Sequence, residues 1–255
     1  MRNLMKYRQT ELIRHQGTHV RLTGYGAASG MATHNHDHHQ ISFLLAGAIR
    51  ERHDGREVET DLPSLCIKPA GLDHANDYGR DGAVILSVNI DPASDLSAVV
   101  GEDWSWRSCR PDRALSDLIG LLDEPEADAG AILTDLLALS GPAERTCGPV
   151  PDWLLTIRQR LGDPEDEADF AVMAVEAGVH RVQASREFVR HFTIPPSVYR
   201  TRCRVSRALG LMGARDSLAR VAAEAGFADQ AHLCRAIKRQ TGHAPSRLRR
   251  LMQAA

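Results

Sequence analysis

The sequence predicts a multi-domain α+β protein with an N-terminal β-barrel, a helical region after it, and an all-α C-terminal domain made of two repeated helical hairpins. Three observations carry this prediction. The length of 255 residues suits about two domains. Short β-prone runs fill residues 18–92, and from about residue 112 the apolar residues recur at helical spacing instead.

Composition narrows the class of protein. With 43% hydrophobic and 25% charged residues, the chain is of the ordinary globular type. No apolar run approaches the roughly 18 residues that span a bilayer, and residues 1–17 lack the apolar core of a secretion signal. Five cysteines without a C-x-x-C pair favour reduced thiols over a disulfide framework or a zinc knuckle. We therefore expect a cytoplasmic protein with no membrane partner.

The β-prone runs of the N-terminal part are short, and turns rich in Gly and Pro separate them. This pattern is typical of a small barrel or sandwich. The runs are ISFLLAG (41–47), VETDL (58–62), SLCIK (64–68) and AVILSVNI (83–90), and the predicted turns are HDGRE (53–57), PAGLDH (69–74) and YGRDG (78–82).

The middle of the chain is predicted to be helical, because its apolar residues recur at i, i+3, i+4 and i+7. This spacing holds for Leu115, Leu118, Ile119 and Leu122, and it is repeated in AILTDLLALS (131–140) and followed by WLLTIRQRL (153–161) and the acidic linker GDPEDEAD (162–169). The predicted domains are the barrel (1–110), a helical linker or dimerisation region (111–162) and the C-terminal domain (163–255).

Charge is distributed unevenly along the chain. Residues 1–167 contain 16 Lys and Arg and 27 Asp and Glu, a net charge of −11, whereas residues 168–255 contain 15 and 6, a net charge of +9. An acidic body joined to a basic module is typical of a protein that binds a polyanion such as nucleic acid. Two solvated surfaces of opposite sign would produce the same numbers.

Two segments of the basic part, residues 170–200 and 218–249, repeat each other. Each contains a short helix ending in Ala-x-x-x-Gly, an apolar residue, an amphipathic helix and a Pro-marked turn. The small Ala lets two helices cross closely, and the Gly permits a tight turn. The repeat predicts two helix-turn-helix units joined by a long helix over about 197–212, each with the polar face of its second helix free for the major groove of DNA.

The helical period divides each second helix into an inner and an outer face. The predicted inner faces are Val182, Phe188 and Val189 or Phe192 in the first unit, and Leu233, Ile237 and Ala236 in the second. The outer faces carry residue types that read base edges, as Arg reads guanine and Gln reads adenine. The predicted DNA-binding residues are Arg181, Gln183, Ser185, Arg186, Arg190, Gln230, His232, Arg235, Lys238 and Arg239.

Residues 168–252 resemble the DNA-binding domain of the AraC/XylS family of transcription regulators. The family's hallmark stands in the second unit as Val221-Ala222-AEA-Gly226-Phe227, then a helix with Arg235, then Gly242-HA-Pro245. The sequence departs from the family pattern at Thr193, where Gly is usual, and at Leu248, where Tyr is usual.

This resemblance implies a sequence-specific transcription regulator and not an enzyme. The two recognition helices would enter successive major-groove segments of promoter DNA, with Arg186 and Arg235 as the main contacts. The resemblance also implies a homodimer, contact with RNA polymerase, and a small-molecule effector bound by the N-terminal domain.

The histidine-rich stretch HNHDHHQ (34–40) lies in the predicted barrel. His34 and His36 are two residues apart, so on a strand both side chains point to one face, and Gln40 shares their parity. His74 follows a Pro-Gly turn and would join them from a neighbouring strand. Three imidazoles can hold Zn²⁺, Fe²⁺ or Ni²⁺.

The spacing resembles the two motifs of the cupin superfamily, in which two His and a Glu from the first motif and one His from the second hold a metal inside a jelly-roll barrel. Gln40 stands where the Glu is usual, and Tyr78 where an Asn is usual. AraC-type sensor domains share these motifs even when they bind an organic effector and no metal. The predicted effector or divalent-metal site is His34, His36, Gln40 and His74, with His38 a bystander and His39 and His53 solvated surface residues.

Three functions are compatible with these patterns. The first is a ligand-responsive DNA-binding regulator with a cupin-like sensor barrel. The second is a cupin metalloenzyme, such as a dioxygenase, that carries the helical part as an accessory. The third is a regulator whose effector is a metal ion or a redox signal. The completeness of the DNA-binding module and the replacement of Glu by Gln40 favour the first.

Overall fold

The structure is a computed structural model that describes residues 7–15, 17–94, 96–97, 100, 102–108, 113–121, 149–212 and 216–253. In this part of the chain, strands come first. They are β1 (Tyr7–His15), β2 (Thr18–Tyr25), β3 (Gly30–His34), β4 (His39–His53), β5 (Arg56–Thr60), β6 (Ser64–Lys68), β7 (His74–Ile90) and β8 (Ser105–Ser108). The helices are α1 (Arg113–Leu121), α2 (Asp152–Gly162), α3 (Phe170–Glu176), α4 (Arg181–Phe192), α5 (Pro196–Leu211), α6 (Leu218–Glu224), α7 (Gln230–Thr241) and α8 (Pro245–Gln253).

The strands form one antiparallel sheet in the order β1-β2-β7-β4-β6-β8, and β3 pairs with β7 while β5 pairs with β4. The two longest strands, β4 and β7, pair along almost their full lengths, from His39 opposite Ile90 to Arg52 opposite Ala75. β4 pairs with β6 in its first half and with β5 in its second half. β7 pairs with β3 in its first half and with β2 in its second half. The predicted α+β class, with an antiparallel β domain followed by helices, is confirmed.

The predicted turn YGRDG (78–82) is wrong, because these residues continue β7. The chain bends there through register shifts in β4, between Leu44 and Ala46 and between Gly47 and Ile49. Gly47 has φ +85°, and a Cβ on it would lie 2.0 Å from the carbonyl oxygen of Gly82. Gly82, which suggested a turn, has φ +78°, and a Cβ on it would lie 2.2 Å from the carbonyl oxygen of Tyr25. It is therefore required by close backbone packing within the sheet and not by a turn.

The helical part follows the prediction where the structure describes it. The helix predicted from residue 112 is α1, WLLTIRQRL lies within α2, and the acidic linker between α2 and α3 is not helical. The segment 131–140, predicted to be helical, lies outside the described residues. Helices α3 and α4 form the first predicted helix-turn-helix unit, α6 and α7 form the second, and α5 connects them.

The two units pack differently. The core of the second unit is continuous with that of the sheet, because Leu233 and Ile237 belong to the same buried cluster as Leu86 and Val88. The first unit has a separate cluster with α2, centred on residues such as Phe188. The sheet and the second unit therefore form a single packed body, and the first unit has its own core.

Candidate nucleic-acid interface and ligand pocket

The first unit is built by local signals around a tight turn. The Asp169 side chain accepts a hydrogen bond from the amide of Ala171 (2.9 Å) and caps α3. Gly178 adopts φ +69°, and the amide of Val179 donates to the carbonyl of Ala174 (2.9 Å) across the turn. These bonds hold α4 at a defined angle to α3.

The inner face of α4 consists of Ala184, Phe188 and Phe192, which are buried at i, i+4 and i+8. The prediction that Val182 faces inward is wrong, since its side chain is 45% exposed. Ala184, not Val182, continues the buried stripe by one turn. Four predicted contact residues are exposed and Ser185 is half-buried; the exposed ones are Arg181, Gln183, Arg186 and Arg190.

The second unit repeats the design. Gly226 adopts φ +81°, and the amide of Phe227 donates to the carbonyl of Ala222 (2.9 Å). The Asp229 side chain caps α7 by accepting from the amide of His232 (2.6 Å). The inner face is the one predicted, with Leu233, Ala236 and Ile237 buried.

The outer face of α7 is polar and basic. Gln230, Arg235, Lys238 and Arg239 are exposed as predicted. His232 is half-buried because its ring lies edge-on to Phe227, with the ring centroids 5.1 Å apart. Its imidazole is therefore less accessible than the other predicted contacts.

Arg186 and Arg235 occupy the same place in their helices, since each is the sixth residue. Neither guanidinium forms an ion pair with any carboxylate in the described part of the chain. Arg190 does have a carboxylate neighbour, Glu187, at 3.6 Å. Two equivalent, uncompensated arginines on exposed recognition faces suit bidentate contact with guanine or phosphate.

The N-terminal domain contains a pocket of about 180 Å³ lined by polar and aromatic side chains. Three of the predicted residues meet there: the ring centroids of His34 and His74 are 4.3 Å apart, and the ring of His36 is 5.0 Å from the first and 5.2 Å from the second. Ligand atoms of all three histidines lie within 4.8 Å of one another. The three imidazoles that the sequence analysis grouped together therefore lie together in the structure.

The three histidines do not all meet through the alternation of side chains along a strand, as the sequence analysis expected. His34 is the last residue of β3 and pairs with His74 of β7, whereas His36 lies in the irregular connection between β3 and β4. The backbone of that connection is held by the amide of Gly71, which donates to the carbonyl of His36 (2.7 Å). A tertiary contact, not strand alternation, brings the third imidazole into place.

Two of the imidazoles have an identifiable tautomer. His34 Nδ1 lies 2.8 Å from the carbonyl of Ala32, and His74 Nδ1 lies 3.0 Å from the carbonyl of Leu72. A carbonyl only accepts, so each Nδ1 carries the proton and each Nε2 presents a lone pair. Both Nε2 atoms are buried without a hydrogen-bond partner. This is the arrangement that orients imidazoles toward a metal or a hydrogen-bond donor.

Two histidines of the pocket, His36 and His74, are neutral at physiological pH. Burial, together with the nearby His74 and Lys68, lowers the pKa of His36 to about 3. Burial and Lys68 lower the pKa of His74 to about 4. Neutral imidazoles keep their lone pairs available for ligation.

Gln40 lines the pocket but is engaged elsewhere. Its Nε2 donates to Asn89 Oδ1 (2.9 Å), and its Oε1 accepts from the Ser42 hydroxyl (3.1 Å). His38, predicted as a bystander, also lines the pocket, and its ring stacks on His36 with the centroids 5.2 Å apart. The pocket therefore contains a fourth imidazole, and the Gln40 amide is part of the wall.

Two further histidines differ from the prediction of solvated surface residues. His39 is half-buried, and its Nδ1 accepts from the amide of Ala70 (3.2 Å). His53 is half-buried too: its Nδ1 donates to the carbonyl of Asp73 (2.8 Å), and its ring meets Trp104 edge-on at 5.6 Å. Both serve the packing of loops around the sheet.

Sequence reasoning missed a buried ion pair beside the histidines. Glu51 is fully buried, and its Oε2 lies 2.8 Å from Nζ of Lys68, which lines the pocket. Glu51 Oε1 accepts from the indole NH groups of Trp104 (2.6 Å) and Trp106 (3.2 Å). The signal in the sequence that could have revealed this pair is Lys68, a charged residue at the end of the mostly apolar strand SLCIK.

Both members of the pair are charged. Burial opposes ionisation of Glu51, but Lys68 and the hydrogen bonds from Lys68 and Trp104 lower its pKa to about 2. Burial likewise opposes the charge of Lys68, and Glu51 raises its pKa to about 12. The ammonium at the pocket wall is therefore permanent, and it repels protons from the imidazoles.

A comparison with family models finds a match in the C-terminal part of the chain. Residues 173–251 match a family model described as a helix-turn-helix domain. Residues 173–251 are an AraC-type helix-turn-helix domain. The match confirms the predicted helix-turn-helix domain in this part of the chain. The histidine pocket lies outside the matched residues. No curated protein sequence matches the chain.

The chain is also similar to several solved structures. ToxT from Vibrio cholerae O395 has 13% identity and a TM-score of 0.41 over 98% of this chain and 99% of that one. KdgF from Halomonas sp. has 15% identity and a TM-score of 0.31 over 33% of this chain and 80% of that one. A cupin superfamily protein from Desulfitobacterium hafniense has 13% identity and a TM-score of 0.31, over 34% and 78%. Among the described residues, no helix has the length and apolarity needed to cross a membrane.

Proposed function

We propose that this chain is a transcription regulator that binds promoter DNA through α4 and α7 and binds an effector in the pocket of its N-terminal domain. One observation carries the DNA-binding part: Arg186 and Arg235 are uncompensated and stand at the same position of two repeated recognition helices. The +9 charge of residues 168–255 supplies the attraction for phosphates. A cytoplasmic location follows from a DNA partner.

The test of DNA binding uses the full chain and duplexes selected from random DNA. Affinity is expected to fall steeply with salt, because phosphate contacts release counterions. Arg235→Ala is expected to lose about 1–3 kcal/mol of discrimination between the selected duplex and its single-base variants. Arg80→Ala, on an exposed part of β7, is the charge-matched control. A salt-independent affinity, or discrimination equal to that of the control, contradicts the proposal.

The ligand-binding part of the proposal is supported by the shape and chemistry of the pocket. Stacked rings of Tyr25 and Tyr78, 3.9 Å between centroids, form one wall, and His34, His74 and Lys68 supply polar groups. Apolar walls with a few convergent polar groups are typical of small-molecule sites. The proposed role is binding and not turnover.

A divalent metal is a second candidate for the effector, or for part of its site. The observation that favours it is the pair of buried Nε2 lone pairs on His34 and His74, with His36 within ligand distance. Three imidazoles suit Zn²⁺, Fe²⁺ or Ni²⁺. These residues would hold the ion, and Gln40 would take no part because both ends of its amide are already bonded.

Metal analysis of protein purified without a polyhistidine tag tests this candidate. About one ion per chain is expected in the wild type, and little in His74→Ala. His53→Ala, which alters a half-buried histidine outside the cluster, is the matched control and is expected to keep the ion. A wild-type protein that takes up no Zn²⁺, Fe²⁺ or Ni²⁺ on titration leaves the organic effector as the proposal.

We further propose that the chain acts as a homodimer and contacts RNA polymerase, as the family resemblance implies. The helical region 111–162 is proposed to serve dimerisation or relay, between a sensor domain over 1–110 and a DNA-binding domain over 163–255. Sedimentation of the full chain, with and without DNA, tests the dimer.

A further inference from the structure

The connecting helix α5 carries an arginine stripe, defined here as Arg200, Arg204 and Arg207. Their spacing of i, i+4 and i+7 places them on one face of the helix. The opposite face is buried and includes Val205 and Leu209. The stripe therefore points away from the core that fixes α5.

The outer arginines of the stripe are anchored to backbone carbonyls. Arg200 Nη2 donates to the carbonyl of Ala168 (2.7 Å), just before the first unit. Arg207 donates to the carbonyls of Gly162 (3.3 Å) and Ala225 (3.4 Å). Ala225 ends the first helix of the second unit, so the stripe lies in the space between the two units.

Arg204, the middle arginine, has no such anchor. Within the described part of the chain its guanidinium makes no hydrogen bond or ion pair, although the side chain is half-buried. Its Nε is 3.3 Å from the place that a Cβ on Gly226 would occupy, so it lies against the turn of the second unit. Arg204 therefore lies beside the turn that precedes α7.

The surroundings of Arg204 disfavour its charge. Burial, then Arg200 and Arg207, lower its pKa, and Glu167 is the only acidic group that opposes them among the described residues. A guanidinium that has lost water and faces two like charges is stabilised by an incoming anion. A planar guanidinium is suited to a phosphate in particular.

We propose that the arginine stripe, with Arg204 as its centre, binds the phosphate backbone of DNA between the two recognition helices. This inference rests on the proposed DNA binding. When two helices occupy successive segments of the major groove, the backbone between the segments faces the gap between the two units. The contact positions the chain on the duplex and carries no sequence information.

The experiment measures affinity of the full chain for a selected duplex and for a random-sequence duplex across a range of salt concentrations. Arg204→Gln is expected to reduce the slope of log affinity against log salt by about 0.9, the value for one phosphate contact. It is expected to weaken binding to both duplexes by the same factor. Arg204→Lys keeps the charge and is expected to keep the wild-type slope.

The control is Arg80→Gln, which removes the same charge from a side chain that is 68% exposed on β7. Its slope is expected to equal that of the wild type. The thermal unfolding midpoint of Arg204→Gln without DNA is expected to be unchanged, because Arg204 forms no hydrogen bond or ion pair in the described part of the chain and Gln keeps most of its aliphatic stem. A purely structural role would lower this midpoint instead.

The outcomes separate the two proposals. A wild-type chain whose binding does not depend on salt overturns both. A steep wild-type slope that Arg204→Gln leaves unchanged, or a loss confined to the selected duplex, overturns the stripe alone and leaves DNA binding standing. Equal loss of slope in Arg204→Lys and Arg204→Gln also overturns it, because the contact would then not depend on charge.

Discussion

The two helix-turn-helix units share one local design but stand in different surroundings. In each, a glycine with positive φ makes the turn, at Gly178 and at Gly226. The turn of the second unit is one residue longer, since α7 starts four residues after its glycine and α4 starts three after. From the recognition helix onward, equivalent residues are 49 apart, as Arg186 and Arg235 are.

The surroundings differ because only the second unit shares its core with the sheet. Gln240 of α7 donates to the carbonyl of Leu45 (2.7 Å), and Ser206 of α5 accepts from the amide of Gly47 (2.7 Å). Both backbone groups lie in the bulged part of β4, where the ladder is interrupted. The helices on either side of the first unit meet the β domain through Asp61, which binds Arg158 of α2 and the Tyr199 hydroxyl of α5. The same motif can therefore have a core of its own in one place and share the core of another domain in the other.

The largest expected effect comes from core truncation in each unit. Phe188→Ala and Leu233→Ala remove fully buried side chains and are expected to cost about 3–5 and about 2–5 kcal/mol of unfolding free energy. Hydrogen exchange is expected to speed up in α2–α4 for the first variant. For the second it is expected to speed up in α6–α7 and also in β4, because that core is shared. Equal acceleration of β4 by both variants contradicts the comparison.

The residue after each recognition helix provides a second contrast. Gly242 has φ +74°, and a Cβ on it would lie 2.7 Å from the carbonyl of Ser116. Gly242→Thr is therefore expected to destabilise the chain by about 2–4 kcal/mol, from backbone strain and displacement of α1.

The reciprocal change is expected to stabilise. Thr193 holds φ +65° at the equivalent place in the first unit, a conformation that disfavours a β-branched residue. Thr193→Gly is expected to raise the free energy of unfolding by about 1 kcal/mol, since relief of strain exceeds the added chain entropy. Urea titration of both variants measures the two effects, and a stabilising Gly242→Thr would show that α1 does not constrain the second unit.

The smallest expected effect concerns the helix caps. Asp229 caps α7, whereas His180 caps α4 with Nδ1 at 3.3 Å from the amide of Val182. Because Asp is a preferred cap and His is not, His180→Asp is expected to gain up to about 1 kcal/mol and Asp229→Ala to lose about 1 kcal/mol. Thermal unfolding without DNA measures both. A neutral Asp229→Ala would indicate that the shared core, and not the cap, holds α7.

Much of the DNA-binding half could be predicted from the sequence because its signals are local. The buried stripe of α7 and the position of Arg235 follow from helical periodicity, and the turn follows from Gly226. Val182 was misplaced because Ala184, the fourth residue of α4, occupies the buried place that Leu233 holds in α7. In the pocket, the grouping of His34, His36 and His74 was predicted and the supporting contacts were not.

The sequence alone shows the order of elements, the tandem repeat, the charge asymmetry and the three histidines, since each is a pattern among neighbouring residues. The tertiary structure alone decided that Glu51 and Lys68 pair beneath the pocket and that the second unit shares the core of the sheet. It also placed Arg204 against the turn of the second unit, next to Arg200 and Arg207. These features join residues far apart in the chain, and the packing that selects their partners has no periodic signature in the sequence.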